Sequence, residues 1–309
     1  MSALNLTELN TALGAYYRTN RGILIGELTL GANFQNRFEV WDSVKDELPL
    51  PKLSIADIVK PGNTTFNATT NAIVHSARIA KVRHCKVDLL ITPSEYETTW
   101  LGNLRKKGQN NSDMPLQQFI FNSVFAKANE NIYTTAIYGG THNASGTASI
   151  DVMDGFLKIV ADEITASNLT PVVTGAITAT NVEEKLLLVY DALDEAYKNV
   201  PVEMKVNAQI YDWYIRQQRS VYGGNNDYQI RTSLYGTSCT LIREPGLGTS
   251  QRVICTPQNN MVYVTDSQSD SSTVDTQIFD RSIKLLIDFK AGVQFKEVNN
   301  NVLTVNDQV

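Results

Sequence analysis

Apolar and polar positions change period several times along the 309 residues, and each change marks a different kind of element. In residues 1–47 the apolar side chains are sparse and helically spaced (Leu6, Leu9, Leu13, Tyr16, Tyr17), which predicts a short helix with extended flanks. LPLPKL, from Leu48 to Leu53, carries two prolines that remove backbone donors and hold the chain extended. The Asn- and Thr-rich PGNTTFNATTNA after it predicts a loop. From Ile73 to Ile91 the period becomes two. Ala77, Ile79, Cys85, Val87, Leu89 and Ile91 share one face, and Arg78, Ala80, Val82, His84, Lys86 and Asp88 the other. That alternation predicts a strand pair with Lys81 and Arg83 at a solvated tip. A charged connection, LRKKGQNNSD, follows.

The clearest helix begins at Pro115, with Ser112 and Asp113 as caps. Leu116, Ile120, Val124, Ala128, Ile132 and Ala136 form its stripe, widened by Phe119 and Ile137, and Gly139-Gly140 ends it. About 23 residues at 1.5 Å each give roughly 35 Å, the length of a spine. A second helix is predicted over Asp151–Ala166, with Val152, Phe156, Ile159, Val160 and Ile164 inward. A third opens at Asn181 with Glu184 as in a capping box, burying Leu186, Val189, Tyr190, Leu193 and Tyr197. Val202–Val206 predicts a strand, and Asn207 opens a fourth helix with Ile210, Tyr211, Tyr214 and Val221 inward. SLYGTSCTLI, QRVICTP and NMVYVTD then predict three short strands. A polar, acidic loop, DSQSDSSTVD, precedes SIKLLIDFKAGVQFKEV. That segment alternates through Ile283, Leu285, Ile287, Phe289, Val293 and Phe295, and a final VLTV follows an Asn-rich turn. The order is arm, strand pair, long helix, α/β unit, terminal strands, which is an α+β architecture.

Charge changes the picture only mildly. The net charge of −5 argues against a dedicated nucleic-acid binder. Residues 1–111 hold 13 Lys/Arg against 10 Asp/Glu, so the acidic excess lies in the remainder. Cys85, Cys239 and Cys255 cannot all pair within one chain, which predicts a reducing compartment. The start of the chain shows no secretory pattern and no apolar run reaches the ~20 residues of a membrane span, so a cytosolic protein is expected.

Chemistry is where the sequence is silent. His84 and Cys85 are adjacent on a strand and point to opposite faces, so they cannot chelate one ion together; His75 and His142 are isolated. Gly246–Gly248 precedes a strand and has Gln251 where a dinucleotide loop needs glycine. No GxSxG elbow and no Walker loop occur. Asp162-Glu163 and Glu183-Glu184 read as solvated helix faces. The reading therefore assigns no catalytic, cofactor-binding or metal-binding residue, no cofactor and no enzymatic activity. Arg78, Lys81, Arg83 and Lys86, and the run Arg105-Lys106-Lys107, are basic clusters able to meet phosphates or an acidic neighbour.

Taken in order, these parts resemble the major capsid proteins of tailed bacteriophages, the Hong Kong 97-type fold. ARIAKVRHCKVDLLIT resembles the extended E-loop and its return strand. MPLQQFIFNSVFAKANENIYTTAIYGG resembles the spine helix of the peripheral domain. VEEKLLLVYDALDEAYKN, VEMKV and NAQIYDWYIRQQRSVYG resemble the helices and central strand of the axial domain. SIKLLIDFKAGVQFKEV looks like the strand that re-enters the peripheral domain. The resemblance implies an N-terminal arm (1–47), an E-loop hairpin with flanking strands (48–111) and a peripheral domain with the spine (112–160). It further implies an axial domain (161–280) and returning peripheral strands (281–309). The implied function is a shell subunit that assembles through pentamers and hexamers into an icosahedral capsid around double-stranded phage DNA. Implied partners are copies of itself, scaffolding, portal and decoration proteins, and packaged DNA met by non-specific contacts, with no membrane. The implied location is the virion, after assembly in the bacterial cytoplasm. Deleting residues 1–35 is expected to leave the helices folded and to impair shell closure.

Three rivals stand beside this reading. One is a bacterial encapsulin-type nanocompartment shell of the same fold. Another is an enzyme with a pocket lined by Tyr211, Trp213, Tyr214 and Arg216, residues whose helical spacing fits core and surface of one helix better. The third is a phage tail or baseplate component, a class richer in β-structure.

Overall fold

One strand organises the molecule: β10, Ser282–Phe295, whose odd-numbered side chains from Ile283 to Phe295 are buried as the alternation requires. The computed structural model describes residues 6–29, 36–55, 58–62, 64, 68–70, 73–92, 116–222, 231–266 and 273–309. Along one edge, β10 pairs antiparallel with β4 (Arg83–Ile91). Along the other it meets β9 (Thr273–Phe279) with its first half and β8 (Met261–Thr265) with its end. Parallel pairing of β8 with β1 (Glu39–Trp41) completes a five-stranded sheet.

Two helices cover one face of that sheet. α1 spans Leu6–Thr29 and α2 spans Leu116–Asn131. α2 continues through a π-helical turn, Ile132–Ala136, into a last turn, Ile137–Gly139. Every residue of the expected spine stripe from Leu116 to Ala136 is buried. Gly140 ends the spine for a reason other than left-handed geometry. Its φ of −61° is open to any residue, but a Cβ there would collide with the carbonyls of Ala136 and Met153. α3, Phe156–Thr165, packs beside the spine's end through Phe156, whose ring lies 5.7 Å from Tyr138 and 4.9 Å from Phe295.

The second sheet has the order β11-β7-β5-β6, with β5 Val202–Val206, β6 Thr240–Arg243, β7 Ile254–Pro257 and β11 Thr304–Val305. α4 (Val182–Asp191) and α6 (Ala208–Tyr222), with the short α5 (Glu195–Lys198) between them in sequence, accompany it. Val202, Met204 and Val206 face α4 and α6 in one hydrophobic cluster. Ile254, Leu303 and Val305 belong to the main core around the spine. The second sheet is thus buried on both faces.

Several expectations are corrected. The short helix at the start is 24 residues long and docked, with Leu9, Leu13 and Leu24 in the core and Tyr16 stacked on Phe121 at 5.8 Å. It bends at Asn20, whose backbone leaves helical space (φ −111°) and whose amide donates to the Tyr16 carbonyl at 2.9 Å. Residues 73–91 hold two strands that do not pair with each other. β3 (Ile73–Lys81) pairs with β2 (Glu47–Ile55), and β4 with β10. The buried side switches between Val82 and Cys85: Ala80 and Val82 are buried and Ile79 exposed, whereas on β4 it is Cys85 and Ile91 that are buried. Pro49 and Pro51 lie inside β2. Two residues apart, they turn their donorless nitrogens to the same open edge, so the ladder to β3 loses nothing.

The acidic loop gives way to strand β9 at Thr273, and the second helix starts at Phe156 instead of Asp151. Val221 is exposed where it was expected inward. The capping box at Asn181 does not form, because its carboxamide accepts from Thr178 N and donates to Ala176 O. Gln217 of α6 reaches over to cap the Glu183 amide at 3.0 Å. Segments 161–280 and 281–309 are each divided between the sheets: β8 and β9 lie with β10 in the first, and β11 in the second. Ser112, Asp113, Pro115 and Arg105-Lys106-Lys107 lie outside the described residues.

Candidate assembly surface

The root of the β2–β3 hairpin is fixed by a small core and by ion pairs. Leu48, Leu50, Ala80 and Val82 pack with Val44, Val262 and Val264 beneath the hairpin. At the crossing point β10 carries Gly292, where a Cβ would run into the Lys81 carbonyl. Arg78 donates to Glu163 of α3 at 2.6 Å and to Gln294 of β10 at 3.2 Å, and Lys52 pairs with Glu297. Burial alone would raise the Glu163 pKa, but hydrogen bonds from Arg78 and Asn168 and the Arg78 charge hold it below the ordinary carboxylate value. Glu163 is therefore not the solvated helix residue its sequence position suggests. It anchors the hairpin.

Ion pairs take up three of the four residues of the expected basic cluster, Arg78, Lys81 and Lys86. Lys81 is paired with Glu47 at 2.8 Å and Lys86 with Asp88 at 2.7 Å, and His84 stands 3.3 Å from Asp288. With Arg78 taken by Glu163, the face is a mosaic of ion pairs. Alternating signs on adjacent strands stabilise the sheet surface and weaken its field at a phosphate.

Apolar side chains are what the hairpin leaves open. Ile58, Val59, Ile73 and Ile79 are exposed, Val59 to 92%. A second apolar feature lies between β4 and the spine. There Val87, Leu89, Val124 and Ala128, rimmed by Ser123, Lys127 and Asn131, line a groove of about 290 Å³. β4 is an edge strand of nine residues, with Leu89 and Leu90 exposed. Unpartnered edges and apolar patches of this kind mark sites of association.

Residues flagged for chemistry are scattered. Cys85 is buried beneath β4, which pushes its thiol up to about 12. Cys239 and Cys255 are buried free thiols, and a mutual hydrogen bond together with burial raises Cys239. His142 holds Val152 O at 3.1 Å through Nδ1, and His75 is exposed on β3. No group of three His, Cys, Asp or Glu able to hold a metal occurs among the described residues. Tyr214 is a core residue whose hydroxyl donates to Ser233 O at 2.9 Å and accepts from Tyr235 N. Tyr211 and Trp213 pack on the same cluster and Arg216 is exposed, the arrangement of one helix with a core side and a solvent side.

Sequence reading missed a polar cluster inside the molecule. Lys205 and Glu244 are buried, with side-chain exposures of 1% and 0%. Glu244 accepts from Arg37 at 3.1 Å and from the Tyr133 hydroxyl at 2.7 Å. Lys205 bonds Glu203 at 3.0 Å, lies 3.6 Å from Glu244 and stands over the Phe38 ring at 5.3 Å. Burial and the Glu244 charge raise the Tyr133 pKa, so its hydroxyl stays a donor. A charged residue at alternate places in VEMKV is the only hint the sequence carries of this cluster.

No family model matches the chain, and no curated protein matches its sequence. Solved structures do match in three dimensions. The satellite phage P4 procapsid, determined with its size determination (Sid) protein, aligns with a TM-score of 0.59 at 13% identity, covering 94% of this chain and 98% of that one. The capsid of an empty GTA particle aligns at 0.53 and 9% identity, covering 88% and 94%. A Gordonia phage Cozz chain aligns at 0.51 and 13%, covering 88% and 84%. The fold is the Hong Kong 97-type capsid fold. Within the capsid fold, the exposed hairpin and the groove beside the spine are the two apolar surfaces described above. No helix among the described residues is long and apolar enough to cross a membrane.

Proposed function

We propose that this chain is the major subunit of an icosahedral phage capsid, a structural protein that works by contact with copies of itself. One observation supports the reading most: a hairpin with outward apolar side chains, anchored at its root by a core and ion pairs, on a chain with the capsid fold. Alone, Val59 and Ile73 stand in water; laid across a neighbour they are covered, and a closed shell multiplies each weak contact. Residues 1–47 then act as arm, 48–111 as E-loop and flanks, 112–160 with the spine as peripheral domain, 161–280 as axial domain apart from β8 and β9, and 281–309 as returning strands apart from β11. Pentamers and hexamers build the shell in the host cytoplasm, with scaffolding, portal and decoration proteins as partners and double-stranded DNA inside. Ion pairing on β3 and β4 assigns DNA contact a minor share of the binding energy.

The test is to express the chain alone and examine it by sedimentation and negative-stain microscopy across salt concentrations. Closed shells or ring-shaped capsomers are expected. A monodisperse monomer under every condition overturns the proposal.

A further inference from the structure

The spine helix contains a defect that nothing in its own sequence demands. Over Ile132–Ala136 the helix widens, and the Ile137 amide bonds the Ile132 carbonyl, five residues back instead of four. A π turn is an inserted residue, and inserted residues are held by tertiary contacts or lost. Three contacts hold this one. Tyr133, inside the turn, donates its hydroxyl to the buried Glu244 at 2.7 Å. Glu244 is neutralised from below by Arg37 and Lys205, and Lys205 by Glu203. Gly246, two residues after Glu244, lets its loop approach so closely that a Cβ would stand 2.6 Å from the Tyr133 carbonyl. The sequence across the turn, Ile-Tyr-Thr-Thr-Ala, is rich in β-branched residues, which lowers the preference for a regular helix there.

The stripe supplies the reason for the defect. Apolar positions spaced by four drift around a 3.6-residue helix by about 40° per step. From Leu116 to Ile132 the buried stripe winds round the spine, and the wider turn, which advances less per residue, keeps Ala136 and Ile137 buried in the same core. The turn therefore couples two settings, the rotation of the spine's first part and the seat of its end on the second sheet.

We infer that this turn is a two-register joint, latched in the π register by the Tyr133–Glu244 hydrogen bond on the buried Arg37–Lys205–Glu203 network. Loss of the latch lets the segment pass to the α register and changes the angle between spine and second sheet. Resting on the shell-subunit reading for its use, the joint gives one chain two curvatures, as pentamer and hexamer positions require. The joint itself does not depend on that reading.

Hydrogen exchange on the full chain tests it. Tyr133→Phe keeps the ring and removes the donor. Exchange of amides in 132–140 is expected to rise by about tenfold, the scale of one lost hydrogen bond to a charged group. Amides of α3 and β10 are expected to stay unchanged. Deleting Thr135 removes the extra residue. In that background Tyr133→Phe is expected to have no effect on exchange, because no π register remains to latch. Equal acceleration in both backgrounds, no acceleration in either, or loosening throughout the chain overturns the joint. Should the single variant be too unstable to purify, Glu244→Leu removes the acceptor of the same hydrogen bond and is read by the same cycle. Where the parent chain forms shells, the Thr135 deletion is expected to yield open sheets or tubes. Shells of parental diameter would overturn the link to curvature and leave the shell reading standing. A parent that never assembles defeats the shell reading while the exchange cycle still decides the joint.

Discussion

Lys205 illustrates how much a single buried charge can hold. Four elements meet at its cluster: the residues before β1, the spine's end, β5 and the loop after β6. Lys205→Met would leave Glu203 without its cation and Glu244 with Arg37 alone, a change expected to cost about 3–5 kcal/mol. Chemical denaturation of the unassembled subunit measures it. Gly292→Ala places a methyl against the Lys81 backbone, which cannot move without shifting the hairpin root. A loss of about 1–3 kcal/mol is expected in the same measurement. Asp307 supplies a pH signal. Hydrogen bonds from Gln308 and from the amide and hydroxyl of Thr174, set against partial burial, hold its pKa at about 2, below the ordinary 3.8. A depressed carboxylate stabilises the fold fully above the unfolded value and loses that contribution as pH falls from 3.8 through about 2. Protection of the Thr174 and Gly175 amides, taken against the intrinsic exchange rate at each pH, is expected to fall across that window in the parent. In Asp307→Ala, which removes the acceptor, protection is expected to be low already at neutral pH. None of these residues stood out in the sequence, because burial, crossing strands and carboxylate partners are long-range facts. Arg78 and Glu163 are 85 positions apart.

Elements were more legible than contacts. The spine, β5 and β10 carry enough periodic apolar residues to be read directly, and all three lie where the pattern puts them. Pairing was not legible, since a period of two says which side is buried and nothing about the partner. That is why β3 and β4 looked like one hairpin. β9 was missed because it is an outer strand with mostly exposed side chains. α1 was read too short, its second half being interrupted by the bend at Asn20. Leu13→Ala, at a fully buried position of α1, is expected to cost about 2–5 kcal/mol. The two prolines of β2 serve against wrong partners. With both replaced by threonine the open edge gains donors, and the unassembled protein is expected to self-associate irregularly in sedimentation at concentrations where the parent does not.

At the scale of the whole molecule, docking of α1 alters the expected result of a truncation. Removing residues 1–35 would strip Leu9, Leu13 and Leu24 from the core and uncover Phe121. The deletion is now expected to lower the midpoint of thermal unfolding as well as to impair closure. A deletion with parental thermal stability would return α1 to the role of a free arm. The fold class followed from the order of elements. The assembly surface was half legible: the exposed hairpin residues lie in a segment recognisable by its prolines and loop, whereas the groove between β4 and α2 joins residues that only the folded chain brings together.

The path of the chain through its two sheets also sets a timetable. β10 lies between β4 on one side and β9 and β8 on the other, and β11 adds to β7 in the second sheet. The first sheet therefore cannot close while the ribosome is still making residues before Ser282, whereas the second lacks only its edge strand β11 at that stage. β4, β8 and β9 emerge before their common partner β10, and such long-range pairing is slow to form. The groove between β4 and α2 thus takes its final form only once β10 has been made and has paired with β4. For the shell subunit proposed above, that delay would separate the making of copies from their meeting.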